Sequence, residues 1–188
     1  IFHLFTHAFF KALLFLSAGS VIIAMHHEQD IWKMGNLKKY MPITYLTSLA
    51  GNLALIGFPF FSGFYSKDLI IEAVGALHLP GASYAYFAVL TSVFVTALYS
   101  FRLFFLVFHT KERMDHHTQE HLHETQAVVT VPLILLAIPS ILIGLLAVDS
   151  LIFSDALTGF FRQAIVVLPQ NDIITNHLAH EYEGWFKM

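Results

Sequence analysis

Apolar residues run in long unbroken blocks along this chain, and polar residues gather between them. Ile1 to Met25 is a membrane-length apolar run, and Tyr84 to Phe108 and Ala127 to Val148 are two more. About 20 apolar residues suffice for a helix to cross a bilayer, so each of the three is predicted to span. Ile43 to Phe58 and Ser62 to Leu77 are shorter, and GFPFFSG, Gly57 to Gly63, separates them. Pro59 removes a backbone donor and the flanking glycines let the chain bend, which predicts a discontinuous helix. From Ser150 to Leu168 the pattern changes: Phe153, Leu157, Phe160, Phe161, Ala164 and Leu168 recur with a helical period, against Ser154, Asp155, Thr158 and Arg162. That segment is predicted to lie along the membrane interface.

The polar stretches are three. HHEQDIWKMGNLKKY follows the first run, the His-rich HTKERMDHHTQEHLHET covers His109 to Thr125, and Pro169 to Met188 ends the sequence. The predicted organisation is therefore membrane helices over 1–109, a His-rich extramembrane loop over 110–126, a spanning plus an interfacial helix over 127–168, and a polar loop over 169–188. The fold class is all-α, a polytopic integral membrane helix bundle with one discontinuous helix near residues 57–68. If Ile43–Phe58 and Ser62–Leu77 each cross, Lys33, Lys38 and Lys39 face one side and Lys111 and Arg113 the other. Three against two is too small a bias to orient the chain. Arg102, near the end of its span, is expected to snorkel to the interface.

Composition sharpens this picture. Only 12% of the 188 residues are charged and 19 are Phe, where a soluble domain carries about 25% charged residues. A formal net charge of −3 gives no basis for a nucleic-acid partner. The absence of cysteine excludes disulfides and thiolate-bound clusters. No initiator Met or signal-peptide n-region precedes the apolar run at Ile1, so the sequence is expected to be a piece of a longer protein.

The chemistry lies inside the apolar blocks. His3, His7 and Lys11 recur every fourth residue, and such positions drift by only about 40° around a helix, so the three share one stripe. A charge in mid-bilayer costs about 2.5–3.5 kcal/mol even on insertion scales, and must face protein or water. Lys67, Asp68 and Glu72 stand beside the predicted break. There is no P-loop, nucleotide fingerprint, nucleophile elbow or zinc motif. His117 and His121 have the spacing of two metal ligands, but no Cys or Glu–His motif completes a site, so a solvated loop and no metal are expected. What remains is a set of intramembrane ionisable groups. Moving one charge against 100 mV costs about 2.3 kcal/mol, or about 1.7 decades of proton affinity. Changes of that size are within reach of a buried lysine and a movable carboxylate. The groups read as a proton relay, His3 and His7 to Lys11, then through water to Lys67 beside Asp68. The alternative is a scaffold in which the charges only fix helix packing.

HLFTHAFFKALLFLSAGSVI, HHEQDIWKMGNLKKYMP, LALIGFPFFSGFYSKDLI and VTALYSFRLFFLVFHTKERMDHH, in this order, resemble the antiporter-like membrane subunits of respiratory complex I, above all the distal one, called L in bacteria and 5 in mitochondria. The resemblance implies the second of two inverted five-helix repeats of a larger antiporter-like fold. It implies that Lys11 is the central channel lysine, that His3 and His7 are relay histidines, and that Lys67 and Asp68 are the lysine and acidic neighbour of the broken helix. Pro59-Phe60 stands where many relatives have two prolines. No cofactor is implied in this chain; FMN, iron–sulfur clusters and quinone belong to partner subunits. The implied partners are the other membrane subunits, chiefly the adjacent antiporter-like one, with lipid, protons and water. The implied location is the bacterial plasma membrane. The large subunit of multisubunit Na⁺/H⁺ antiporters and a membrane-bound hydrogenase subunit are the alternatives, and HEQDI directly after the first helix favours complex I.

Overall fold

The computed structural model describes residues 1–153 and positions 164, 168 and 172. The described residues form helices joined by short turns. The spanning helices are α1 (Phe2–Ala24), α4 (Ala82–Phe108) and α6 (Ala127–Val148), and each coincides with an apolar block. Between them lie α2 (Pro42–Ile56), α3 (Ser62–Gly75) and the short α5 (His116–His121). A wider π turn, Asp149–Phe153, prolongs α6 past the expected boundary at Ser150. The rest of the expected interfacial helix lies outside the described residues, apart from single positions.

The helices pack around two cores, one at each end of the bundle. One unites Val21 and Met25 at the end of α1 with Met34, Leu37 and Met41 of the connector, Phe104 and Phe108 of α4, and Leu122. The other joins Phe2 at the start of α1 to Tyr65 and Leu69 of α3 and to Ala147 and Val148 of α6. This arrangement fixes the path of the chain. α2 leaves the connector end, the chain bends, and α3 finishes at the opposite end beside Phe2 and Val148. The two short helices are consecutive halves of one crossing, each about 21–23 Å long at 1.5 Å per residue.

The two short runs do not each cross; the discontinuous helix predicted at GFPFFSG is what forms. Because α2 and α3 together cross once, the Lys33/Lys38/Lys39 connector and the Lys111/Arg113 loop lie on the same face. Hydrogen bonds tie them: Asn36 Nδ2 donates to Glu112 Oε1 at 2.9 Å, and Arg113 Nη2 donates to the Ile31 carbonyl at 3.0 Å. The His-rich stretch is likewise more than a solvated loop. Leu122 is 6% exposed, and Glu124 accepts the backbone N–H of Ile43 at 2.7 Å and of Thr44 at 3.2 Å. With Pro42 at the first position and no side-chain cap from Met41, α2 leaves those donors open, and Glu124 closes them. Arg102 sits at the same end, its guanidinium 5.7 Å from the centroid of the Trp32 ring, as snorkelling requires.

Candidate functional site

The break between α2 and α3 organises the site. α2 ends in a reversed-hydrogen-bond cap: Phe58 N–H donates to Leu53 O at 2.9 Å and Gly57 N–H to Ala54 O at 3.2 Å. Gly57 takes the left-handed conformation this cap needs, with φ of 78°. The next carbonyl in the ladder is that of Leu55, whose helical donor would be residue 59. That residue is Pro59, which has no N–H. Lys67 takes its place, donating from Nζ to Leu55 O at 3.1 Å. An ammonium at a helix C-terminus is also the charge favoured by the helix dipole.

On α1 the two histidines of the stripe lie together. The His3 and His7 rings are 5.7 Å apart between centroids, and the His7 ring lies 5.2 Å from Phe10. His3 Nδ1 is 2.9 Å from Ser66 Oγ on α3, and Thr6 Oγ1 is 2.8 Å from the same oxygen. Ser66 and Thr6 are 1% and 0% exposed, so the link between α1 and α3 is buried. Ser66 is the neighbour of Lys67, and Lys67 lies within electrostatic range of both His3 and Lys11. Lys11 faces a cavity of about 350 Å³ between α1, α2 and α4.

The predicted residues therefore fall into two places. His3 reaches the broken helix through Ser66, and Lys67 seals the break itself. Lys11 lies some 12 Å further along α1 than His3, at the mouth of the cavity. Asp68 and Glu72 are both half-buried on α3, and Asp68 projects roughly 100° around the helix from Lys67. Ser66 and Thr6 were missed by the sequence reading. Their signal was a hydroxyl in an apolar helix, one residue before Lys67 in one case and one turn from His3 in the other.

Outside the bundle, charged groups join the two loops. Hydrogen bonds from Asn36 and Tyr40, with Lys39 nearby, hold the Glu112 carboxyl below its ordinary range. Lys33 donates to Glu28 at 2.7 Å, which lowers the carboxyl and raises the ammonium. Partial burial and the Lys38 charge keep His109 below the usual imidazole value. His117 and His121 rings are 4.9 Å apart and His26 is 6.2 Å from His117, yet among the described residues no three ligands converge on a metal position.

Residues 1–81, covering α1, the broken helix and the turn after it, match the transmembrane family of NADH:quinone oxidoreductase and Mrp antiporters. NADH-quinone oxidoreductase subunit L of Neisseria meningitidis is 53% identical over 203 residues, taking in 100% of this chain and 30% of its own length. The chain belongs to this antiporter-like family. NADH-ubiquinone oxidoreductase chain 5 of Marchantia polymorpha is 46% identical over 174 residues, covering 93% of this chain and 26% of its own. Subunit L of Rhodobacter capsulatus is 45% identical over 172 residues, 86% of this chain and 24% of its own. The chain thus spans under a third of the length of these relatives, on both the bacterial and the mitochondrial branch of the family. With three helices long and apolar enough to cross a membrane, it is a multi-pass membrane protein.

Proposed function

We propose that this chain forms part of a proton-translocating membrane subunit of a respiratory NADH:quinone oxidoreductase. The supporting observation is the meeting of the α1 stripe with the broken helix: His3 bonded to Ser66, and Lys67 seated at the carbonyl that Pro59 frees. Protons pass along His3, His7 and Lys11 and are exchanged, through water, with Lys67 beside Asp68. An imidazole can take a proton on one nitrogen and release one from the other near neutral pH. The ammonium of Lys67 is exchangeable because its partner is a carbonyl at a break that can open, not a fixed carboxylate.

The connector face carries Lys33, Lys38, Lys39, Lys111 and Arg113, whereas the turn between α3 and α4 carries no Lys or Arg. By the positive-inside bias the connector face is cytoplasmic in a bacterial plasma membrane. Electron transfer, with its FMN, iron–sulfur clusters and quinone, belongs to partner subunits, and the adjacent antiporter-like membrane subunit is the neighbour that passes on the drive.

Lys11→Ala in the intact complex, assayed in inverted membrane vesicles, tests the reading. Assembly persists and proton delivery per NADH oxidised falls. Loss of assembly with normal pumping in whatever complex remains would favour the scaffold. Loss of sodium–proton exchange alone would favour an Mrp-type antiporter, which the family also includes.

A further inference from the structure

Two hydroxyls in the bundle interior need explaining. Ser17 Oγ on α1 and Ser100 Oγ on α4 are buried without a hydrogen-bond partner among the described residues, their side chains being 2% and 3% exposed. Leaving such a group unsatisfied costs about 1–3 kcal/mol. Both line the 350 Å³ cavity beside Lys11, together with Ser48, Asn52 and Tyr99. A water in the liquid takes about 30 Å³ and needs two to four polar partners, so this mostly apolar space admits water only beside its polar lining of Lys11, Gln29, Ser48, Asn52 and Tyr99. The cavity extends along α1 from Lys11 to Ile22.

One helical turn beyond Ser17 a second set of hydroxyls begins. Ser20 is 1% exposed, and its Oγ lies 2.9 Å from Thr44 Oγ1 and 2.8 Å from Thr125 Oγ1. Thr44, 0% exposed, donates to Glu124 Oε1 at 2.6 Å. Glu124 divides its carboxylate between two tasks: Oε2 accepts the open N–H groups of α2, and Oε1 ends the hydroxyl chain. Capping needs only the first oxygen. Positions three apart on a helix have Cβ atoms about 5–6 Å from each other, which puts Ser17 next along α1 after Ser20.

We propose that Glu124 is the proton-accepting group at the loop-side mouth of a route that reaches Lys11 through the hydroxyls of Thr44 and Ser20 and then the cavity beside Ser17, which water enters along its polar side. Each hydroxyl both donates and accepts. A proton taken up by Glu124 from loop-side water passes from Oε1 to Thr44, each oxygen releasing one proton as it receives another, and Lys11 in its neutral form accepts the last. Glu124 is left a carboxylate, and the hydroxyls turn back before the next passage. The proposal rests on the reading of Lys11 as a relay group.

Ser20→Ala, Ser20→Thr, Glu124→Gln and Lys11→Ala are compared in the full-length subunit within the intact complex, scoring proton delivery per NADH and thermal stability together. Ser20→Ala leaves the α2 cap untouched, and Glu124→Gln keeps an acceptor for it but cannot carry the proton. Both are expected to lower delivery to the level of Lys11→Ala with melting unchanged, and Ser20→Thr, which keeps the hydroxyl, to retain it. If Ser20→Ala pumps normally while Lys11→Ala does not, the route is wrong and the relay stands; this holds even if Glu124→Gln fails, which would then mark Glu124 as a cap alone. A fall in pumping matched by a fall in melting temperature for Ser20→Ala, with no recovery in Ser20→Thr, also overturns the route. Normal pumping by Lys11→Ala removes the relay and this proposal with it.

Discussion

Gly144 sits where α6 presses on the start of α3, and replacing it with Ala tests whether the position of α3 depends on that contact. An added Cβ would lie 2.5 Å from Ser62 Cα, 2.7 Å from Ser62 O and 2.8 Å from Tyr65 Cδ2, where ordinary contact begins at 3.4 Å. The nearest two atoms are backbone, so no side-chain rotation relieves the clash and the helices must part by about 0.9 Å, the shortfall to that contact limit. Ser62 Oγ donates to the Ser140 carbonyl at 2.7 Å across the same seam, and that separation carries the bond out of hydrogen-bonding range. Overpacking costs about 1–3 kcal/mol and the lost hydrogen bond about 0.5–1.5 kcal/mol, against a helix gain for Ala of about 0.5–1 kcal/mol. The net is a destabilisation of roughly 1–3 kcal/mol. Gly19 on α1 supplies the control: nothing lies within 4 Å of its added Cβ, so Gly19→Ala keeps only the helix gain. Thermal melting of the full-length protein in detergent should rank Gly19→Ala at or above the parent and Gly144→Ala clearly below it. Equal melting of the two variants would mean that the seam between α6 and α3 tolerates the added Cβ. Because α3 also carries Ser66 and Lys67, Gly144→Ala should loosen the His3 link as well.

The contact between the two loops should weaken in acid. Glu112, held below its ordinary value of 4.5 by Asn36, Tyr40 and Gln119, with Lys39 adding to the effect, contributes stability that is complete above that pH and is lost as pH falls through its lower folded value. His109, held below 6.5, favours its neutral form, so its contribution is complete above pH 6.5 and declines below. A fluorophore on Thr118→Cys should report loop release on acidification from pH 7, with the lower step reduced in Glu112→Gln; a flat response in the parent would contradict both assignments. At the break, Pro59→Ala supplies the N–H that a helix extended past Gly57 would need at the Leu55 carbonyl. Amide exchange across Gly57–Phe61 should slow, and unchanged exchange would mean that Pro59 does not maintain the break.

The element boundaries were legible because lipid demands long apolar blocks, and the ends of α1, α4 and α6 fall within a residue or two of where the polarity changes. The face on which each loop lies was not. α2 and α3 have 15 and 14 residues, lengths equally compatible with two short crossings or one broken one; Pro59 between glycines favours the broken one, but the pattern does not show which loops touch. The choice is made by pairs far apart in sequence, Asn36 with Glu112 and Phe2 with Leu69 and Val148. The His3, His7 and Lys11 stripe was legible because charge in an apolar helix is costly and its spacing periodic. Ser66 and Thr6 were not, because a hydroxyl can satisfy itself on its own helix and its presence alone does not demand a partner. The missing cap of α2 could have been noticed from Pro42 after Met41, but nothing in the local sequence names a glutamate some eighty residues away as the group that supplies it.

The two ends of α2 share one solution to one problem. Each end leaves backbone groups without helical partners. Glu124 supplies negative charge to the open N–H groups at one end, and Lys67 supplies positive charge to the Leu55 carbonyl at the other. Both signs agree with the helix dipole. Lys67 reaches its carbonyl because Pro59 lacks an N–H, and Glu124 reaches its amides because Met41 offers no cap. What the backbone leaves unpaired at each end of α2 is what binds the two ionisable side chains there.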